Sequence, residues 1–592
     1  MGQPKRAPSR SAGGGEPLSR SLLLPLALFL ALALLLYGNT LRNGFVNDDK
    51  PLVANNALVN DASRLGDIFT SGYWSTRQDS VPELYRPLTV LSLALNRRLT
   101  GAAPSGFHLV NLLLHGCVSF FVFRIALSIG TSRAAAWAAG LIFAVHPVHT
   151  EAVAPVVGRS ELLAALFFLA ALKLHHAIMH GKGGASFAFG AASCYLAASL
   201  SKEGALIFPA IALLTDIAFP PARAVSRRAR AAPFALYALA ALLVLGIRYE
   251  VLGAVARSDI RPLDNPLVAL PPGAALSTAL VALGGTLKLL VYPLRLSADY
   301  AGTEIRPAAG LLDPRVVAVL ALIFILVAAA ALAWTRLRSA SWGIAFLLIA
   351  ILPVSNLFFL IGTIFGERLL YLPSAGFCVA AGALWGEWRG RSKMTALAAA
   401  VLVLLAGSAR TVARNSIWQD DGTFALATSR DAPSSPKAQF NWGVFLEEHS
   451  DARAEAAYRE AARLAPDWSD PRYNLAGILA ASGRLTEAIE EYRAALAIRP
   501  DDARAVLNLG YALYRAGRHP EAVELYQRFL KERGESAPVL NSLGANLLAM
   551  ARRDEAVAAF QRAVQLAPGE PGYRQNLEQA LKTSEETPTP AP

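Results

Sequence analysis

Across its first 409 residues the chain is a succession of apolar runs, most of them long enough to cross a lipid bilayer. A transmembrane helix needs about 20 consecutive apolar residues to span a hydrocarbon core of roughly 30 Å. After residue 409 the pattern changes to that of a water-soluble protein. Hydrophobic residues make up 54% of the 592, and charged residues only 17%, against about 25% in average soluble domains. This disfavours an ordinary cytosolic enzyme. The expected fold class is all-α, a polytopic helical membrane domain followed by a soluble helical one.

The first run, Ser21 to Tyr37, follows a tail carrying Lys5, Arg6, Arg10 and Arg20 and precedes GNTLRNG, which offers no small-residue cleavage site. It reads as an uncleaved span with its N-terminus inside. Further runs fall near 107–128, 134–149, 160–179, 185–200, 203–219, 232–251, 276–295, 315–335, 342–362, 369–387 and 394–409. Loop charges decide how many of these cross. Arg223, Arg227, Arg228 and Arg230 mark one inside loop, Arg336 and Arg338 a second, and Arg389, Arg391 and Lys393 a third. Those assignments agree only if one run between 251 and 315 fails to cross. ALSTALVALGGTLKLLVYPL, residues 276–295, is that run, with a Gly-Gly pair and Lys288; it is expected to be a re-entrant or interfacial helix on the outer side. Eleven spans then place everything after residue 409 outside.

This placement also accounts for the net charge of +12. The arginines lie mainly in short loops where they set topology, and no basic patch interleaved with aromatics suggests nucleic acid. Cys117, Cys194 and Cys378 all lie in apolar runs, with neither metal-ligand nor disulfide spacing.

Residues 435–568 repeat with a period of 34. Leu475, Leu509 and Leu543 share one phase, Ala476, Gly510 and Gly544 the next, with Ala488, Ala522, Ala556 and Tyr492, Tyr526, Phe560 further on. Pro466, Pro500 and Pro568 close repeats, with Gly534 in place of one proline. This is the tetratricopeptide pattern, about four repeats plus a capping helix from Pro571 to Leu581. Such a solenoid offers a groove for extended peptides or partner proteins. Asn441, Asn474, Asn508, Asn541 and Asn576 recur near one helical face; they are candidates either for binding a peptide backbone or for capping and packing. The expected organisation is a cytoplasmic tail over 1–20, a membrane domain over 21–409, a linker over 410–434, repeats over 435–583 and a disordered tail over 584–592.

Ionisable residues gather in the loops that topology sends outside. GFVNDDKPLVANN holds the adjacent carboxylates Asp48 and Asp49 directly after the first span. Neighbouring acids raise one another's pKa, and a carboxylate facing an apolar cavity makes a better general base; a solvated pair or helix cap is the plainer alternative. Arg86 follows in the same loop, then His146, His149, Glu151, Arg159 and Glu161 in HPVHTEAVAPVVGRSE, Lys202 and Glu203 in SKEG, and Glu367 and Arg368 in GER. Ionisable residues at membrane depth mark functional sites by default. Arg159, Lys202 and Arg368, with Arg86, suit a phosphate at the interface; the two histidines and the remaining carboxylates are candidates for substrate contact. His146 and His149 with Asp48 or Asp49 would form a metal-ligand set on paper, but Pro147 stands between the histidines; polar packing or a hydrogen bond to substrate is preferred, and no metal or other cofactor is expected.

The blocks FVNDDKPLVANN, YRPLTVLSLALN, GFHLVNLLLHG, FAVHPVHTEAVAPVVGRSELLA, LSKEGALIFPAIALLTD, YPLRLSADY and GERLLYLPSAGF, followed by these repeats, resemble the transmembrane and tetratricopeptide-repeat-containing O-mannosyltransferases, the TMTC family, and their prokaryotic relatives. The resemblance runs in order along nearly the whole chain. It implies a membrane glycosyltransferase of the GT-C fold that takes a sugar from a polyprenyl-phosphate carrier on the lumenal or periplasmic side. An acidic residue of the first outer loop, here Asp48 or Asp49, would be the base; the donor would be a polyprenyl-phosphate mannose and the acceptors Ser or Thr hydroxyls of proteins. A bacterial inner membrane facing the periplasm is the expected location, or the endoplasmic reticulum lumen in a eukaryote. The competing expectations are a membrane-anchored repeat scaffold without catalysis, or transfer of another sugar to a lipid or glycan.

Overall fold

In a computed structural model, residues 18–74, 84–221, 227–254, 260–302 and 304–582 are described. The charged loop at Arg223 and most of both tails lie outside them. Among the described residues the regular structure is entirely helical. The chain forms two compact units. The first comprises Met1–Tyr300 and Ile305–Asp431, the second Ala301–Glu304 and Ala432–Pro592.

In the first unit, α1 covers Leu18–Tyr37, and α2 (Pro87–Thr100) follows the first long loop. Then come α3 (Pro104–Ser128), α4 (Arg133–Val145), α5 (Arg159–Met179), α6 (Ala185–Ser201), α7 (Phe208–Ala218) and α8 (Arg227–Leu252). They are followed by α9 (Pro272–Val291), α10 (Pro314–Ala333), α11 (Arg338–Ala350), α12 (Pro373–Arg391), α13 (Lys393–Asn415) and α14 (Asp421–Asp431).

Hydrogen bonds between helix ends sort these ends into two layers. In one, Asn415 Nδ2 donates to Leu36 O (2.9 Å), Thr411 Oγ1 to Val145 O (2.8 Å) and Thr89 Oγ1 to Ser201 O (3.0 Å). The first two join the C-terminal ends of α1, α4 and α13, and the third ties the end of α6 to the start of α2. In the other, His176 bonds Ser128 O, Ser339 Oγ donates to Ile129 O, and Trp342 Nε1 donates to Thr215 Oγ1. That joins the ends of α3, α5 and α7 to the start of α11. The C-terminal ends of α1, α4 and α13 thus lie in one layer, and those of α3, α5 and α7, with the start of α11, in the other.

Among the described residues, seven helices are long and apolar enough to cross a membrane by length and composition, α9 among them. Helices α4, α6 and α11 are apolar but shorter, at 13, 17 and 13 residues. Large apolar side chains on the outside of the unit, such as Leu35, Leu242, Phe324 and Leu402, are more than two-thirds exposed, a surface that lipid rather than water would cover. Inside, small residues let backbones meet. A Cβ on Gly376 would lie 2.5 Å from Gly343 O, and one on Gly382 would lie 2.6 Å from Ala135 O, the close approach by which membrane helices gain dispersion energy.

Helix α9, expected to be re-entrant or interfacial, is a single helix. It continues unbroken through Gly284-Gly285, so it does not re-enter. Yet all of it is attached to the first layer. Near its start Thr278 Oγ1 accepts from Ala308 N, and near its end Leu290 O is bonded by His146. Its middle, Ala282 to Thr286, packs on Ile351 and Val354 beyond the C-terminal end of α11. A 20-residue helix is about 30 Å long, and α9 spends that length lying across the helix ends. The expected linker is also structured: α13 extends to Asn415 and α14 belongs to the first unit.

The second unit is the repeat array, α15–α23: Pro436–Glu448, Ala454–Leu464, Ser469–Ala481, Leu485–Ile498, Ala503–Arg515, His519–Arg533, Ala537–Ala549, Arg553–Leu566 and Pro571–Lys582. The 34-residue pattern has a direct steric origin. The Tyr526 ring occupies the place of a Cβ on Gly510, with its hydroxyl 2.0 Å from that position, and Phe560 sits likewise on Gly544 at 2.8 Å. Gly534 ends α20 at φ +88°, the left-handed terminator that glycine adopts without strain.

Candidate functional site

The loop after α1 makes its turn at Asn47, which takes φ +50°, a conformation asparagine tolerates better than most residues. Its amide donates to Asp421 Oδ1 (3.2 Å), Lys50 pairs with the same carboxylate, and Gly44 N–H donates to Gln419 O (2.9 Å). The end of α13 and the start of α14 thus clamp the segment carrying the two adjacent acids.

That turn sends Asp48 and Asp49 to different tasks. Asp49 is fully buried, and its oxygens accept from the backbone N–H groups of Val156 (3.1 Å) and Val157 (2.7 Å). Burial raises its pKa to about 7 against the lowering effect of those bonds. Its carboxylate also acts as counter-charge to Arg159. The turn it holds has room for little else, since a Cβ on Gly158 would stand 2.1 Å from Ala152 O. Asp48 is half-buried and lies within electrostatic reach of the Tyr73 hydroxyl, as do Arg86 and Arg368.

Cations and acids from distant segments meet around it. Arg86 forms a forked pair with Glu203, at 2.6 and 3.0 Å, while its guanidinium lies 5.2 Å from the centre of the Tyr73 ring. Lys202 pairs with Glu161, both side chains almost wholly buried. Arg368 donates its backbone N–H to Glu151 (2.9 Å), with Nε 3.6 Å from the same carboxylate. Arg86, Glu203, Arg368 and Glu151 all act on the Lys202 ammonium. The four pieces therefore form one electrostatic cluster in the first layer. Arg368 is its most open cation, with 38% of the side chain exposed against 12% for Arg86 and 9% for Lys202.

Other candidate residues lie behind this cluster. Arg159 is fully buried, donating to Asn111 Oδ1 (2.8 Å) and Phe107 O (2.7 Å), so it braces α5 against α3 away from the open surface. His146 bonds Leu290 O and accepts from Val148 N; His149 bonds Phe143 O (2.9 Å) and Ser374 Oγ (2.8 Å). Both ring nitrogens of each are committed, which leaves neither a lone pair for a metal nor an edge for substrate. Glu367 is buried, accepting from Ser297 N (2.5 Å) and Tyr300 Oη (2.8 Å), and burial moves its pKa well up.

Three participants escaped the sequence reading. Arg248, near the end of α8, is buried and interacts electrostatically with Glu203 and Arg86; a lone arginine one turn from the end of an apolar run was the available signal. Tyr73 gave no signal. Asn356, at φ +58°, accepts from Asn265 Nδ2 and Ile361 N and donates to Thr363 O and Ile364 O, shaping the loop that delivers Glu367 and Arg368.

In the repeats, the asparagines divide. Asn474 Nδ2 donates to Tyr458 Oη (3.1 Å), Asn508 Nδ2 to Tyr473 Oη (2.8 Å), and Asn576 Nδ2 to Asn541 Oδ1 (2.8 Å). Those amides knit neighbouring helices together, whereas Asn441 is exposed.

Comparison with known proteins agrees with both units. Models described as TPR repeat and tetratricopeptide repeat match residues 476–517, 504–536 and 537–570. The solved structure of MamA residues 41 to the end from Desulfovibrio magneticus covers 26% of this chain and 86% of its own, at 21% identity and a TM-score of 0.24. Among curated proteins, the chain is 30% identical over 566 residues to protein O-mannosyl-transferase Tmtc1 of Drosophila melanogaster, covering 80% of this chain and 65% of that protein. To human protein O-mannosyl-transferase TMTC1 it is 30% identical, covering 79% and 58%. To protein O-mannosyl-transferase F38B6.6 of Caenorhabditis elegans it is 29% identical, covering 75% and 63%. The chain thus spans about three-fifths of the length of the relatives it matches. That likeness runs through the membrane region and into the repeats, so the chain is similar over about three-quarters or more of its length to proteins named TMTC O-mannosyl-transferases.

Proposed function

We propose that the protein is a membrane glycosyltransferase that moves a sugar, mannose by analogy with its relatives' names, from a polyprenyl-phosphate donor to Ser or Thr hydroxyls of proteins. The convergence of Asp48, Arg86, Lys202, Glu203 and Arg368 beside Tyr73, in the layer where α1, α4 and α13 end, carries this reading. A repeat scaffold would not need that concentration of charge among apolar helices, which is costly to bury.

Asp48 is the base and Asp49 its support. Asp49 spends both oxygens on backbone amides, whereas Asp48 is partly open to an incoming hydroxyl. Asp48 takes the acceptor hydroxyl proton as that oxygen attacks the anomeric carbon. The bond from that carbon to the phosphate oxygen breaks, and the lipid phosphate leaves with its charge met by Arg368 first, then Arg86, Lys202 and Arg248. A single displacement inverts the anomeric centre and needs no second carboxylate as nucleophile. The layer holding this cluster faces the extracytoplasmic side, with eleven crossings, the N-terminus inside and α9 along the interface. The repeats bind the acceptor or a partner protein.

The test is sugar transfer in membranes from a host lacking the protein, with radiolabelled polyprenyl-phosphate mannose as donor and label counted in protein and lipid fractions. Asp48→Asn is expected to lower transfer to protein by about 10²–10⁴-fold, the usual contribution of a positioned base, at unchanged protein level. Asp49→Asn should lower the amount of folded protein as well. Equal transfer by Asp48→Asn and wild type would refute the assignment. Label appearing on a second lipid, resolved from the donor by chromatography, would move the acceptor from protein to lipid.

A further inference from the structure

The layer opposite the charged cluster holds a second feature that the proposed transfer does not use. At that end α4 and α12 are pressed together by small residues. A Cβ on Gly386 would lie 2.9 Å from Ala135 Cβ, and one on Gly382 would lie 2.8 Å from Ala139 N. Helix α13 meets α4 at its far end, where Thr411 donates to Val145 O and a Cβ on Gly407 would lie 3.1 Å from Val145 Cγ2. At its start it is tied to α12 by Trp385 Nε1 donating to Ala396 O (2.7 Å). The three helices therefore splay into a slot of about 590 Å³.

The slot's walls include Trp137, Leu141, Leu384, Trp385 and Leu404, and Arg389 is the one charged residue among those lining it. The Arg389 guanidinium is held 5.9 Å from the centre of the Trp385 ring, a cation resting on an aromatic face. Arg133 opens α4 at the same end, and Arg391 and Lys393 flank the turn into α13, against one acid, the exposed Glu387. An apolar slot of this kind does not hold water, which needs several polar partners. It matches an amphiphile with an alkyl chain and an anionic head.

We infer that the slot between α4, α12 and α13 binds an anionic phospholipid, one acyl chain lying along Trp137 and Leu141 and the phosphate meeting Arg389. Charge complementarity selects this occupant over a zwitterionic lipid, because basic pockets between membrane helices at the cytoplasmic face recruit anionic headgroups. The site is separate from the transfer site. Its loss leaves Asp48 and its cations in place.

The tryptophans supply the readout. The full-length protein, purified in detergent and depleted of lipid, is titrated with phosphatidylglycerol or phosphatidylcholine brominated on the acyl chains, while tryptophan fluorescence is followed. Phosphatidylglycerol is expected to quench at about fivefold lower concentration, the preference expected of one basic residue near a headgroup. Arg389→Ala should erase that preference with the thermal midpoint unchanged. Trp137→Phe with Trp385→Phe should reduce the depth of quenching, since those are the rings the brominated chain would touch. The site is refuted if both lipids quench alike in wild type, which would mean annular contact only, or if Arg389→Ala keeps the preference. Displacement of the bromolipid by farnesyl phosphate at lower concentration than by phosphatidylglycerol would also overturn it, making the slot a prenyl site. None of these outcomes depends on whether sugar transfer is observed.

Discussion

The two units use charge in opposite ways. In the repeats, arginine–glutamate pairs such as Arg484–Glu487, Arg552–Glu555 and Arg562–Glu535 lie on the surface, each partner well over a third exposed. Such pairs are screened and add little; what fixes the solenoid is ring-on-glycine contact at Tyr526–Gly510 and Phe560–Gly544. The membrane unit has exposed pairs too, such as Lys50–Asp421 and Arg64–Asp67, but it adds charges that are largely buried. Lys202–Glu161, Arg86–Glu203 and the carboxyls of Asp49 and Glu367 sit among apolar helices. Desolvating such charges costs more than packed hydrocarbon would in their place. Where charge adds little stability it is spread on the surface; where it costs stability it is concentrated at one layer of helix ends. This contrast distinguishes a scaffold from a site.

The largest effect separating the units should come from breaking one buried pair. Lys202→Met leaves Glu161 without its cation, and loss of one partner from a buried pair costs about 3–5 kcal/mol. Thermal unfolding of the purified protein should show a marked drop in midpoint. Adding Glu161→Met should restore most of the midpoint but no sugar transfer. Restored transfer in the double variant would mean that the pair is only structural.

Next in size is a steric change in the repeats. Gly510→Leu forces a side chain into the space of the Tyr526 ring. Overpacking of this kind typically costs about 1–3 kcal/mol. Hydrogen exchange should show faster opening of α19 and α20, with the membrane unit protected as before. Unchanged protection at α19 would break the argument that ring-on-glycine packing holds the array.

The contrast also explains which parts were legible from sequence. Repetition is written in sequence: period 34 identifies the repeats, and apolar runs of about 20 residues identify most spans. The expectation that 276–295 does not cross came from loop charges alone, because topology is a parity count. Partnerships were not legible. Arg86 and Glu203 are 117 residues apart, and nothing local pairs them. Neighbours in sequence can also diverge, as Asp48 and Asp49 do. Which of them is buried depends on the left-handed turn at Asn47 and on two amides more than a hundred residues away. Recurrence misled in the other direction: Asn474 and Asn508 recur because each bonds a tyrosine of a neighbouring helix, a packing role that looks the same in sequence as a binding face. The 410–434 stretch read as a linker because it is polar, yet Asp421 within it holds the turn that carries Asp48.

The buried acids give the membrane unit a pH dependence that the repeats lack. Asp49 titrates near 7 in the folded protein and near 4 when unfolded. The folded state therefore holds a proton that the unfolded state has released across this window. Stability falls as pH rises from about 4 to 7, by up to about 1.4 kcal/mol per pH unit for that one group. Glu367, raised by burial as well, acts in the same direction. Buried His146 and His149, held below the usual imidazole range by desolvation, act in the opposite direction, so the carboxyl contribution is read as a difference. In melts at a series of pH values, the wild-type midpoint minus that of Glu367→Gln should shrink as pH rises. A constant difference would mean that burial does not hold the Glu367 proton.

The smallest expected effect is a null one, and it carries the other half of the contrast. Arg484 bonds Glu487 and Glu455 with four short contacts, a denser set than any pair around Asp48. If the number of such contacts governed stability, Arg484→Ala would be among the worst substitutions in the chain. The guanidinium is open to solvent, however, so water replaces what the carboxylates supply and added salt already weakens the attraction. Arg484→Ala should leave the unfolding midpoint of the repeats within experimental error at moderate ionic strength. A clear drop would show that surface pairs in this array act as a network, and that exposure alone does not separate charges that stabilise from charges that act.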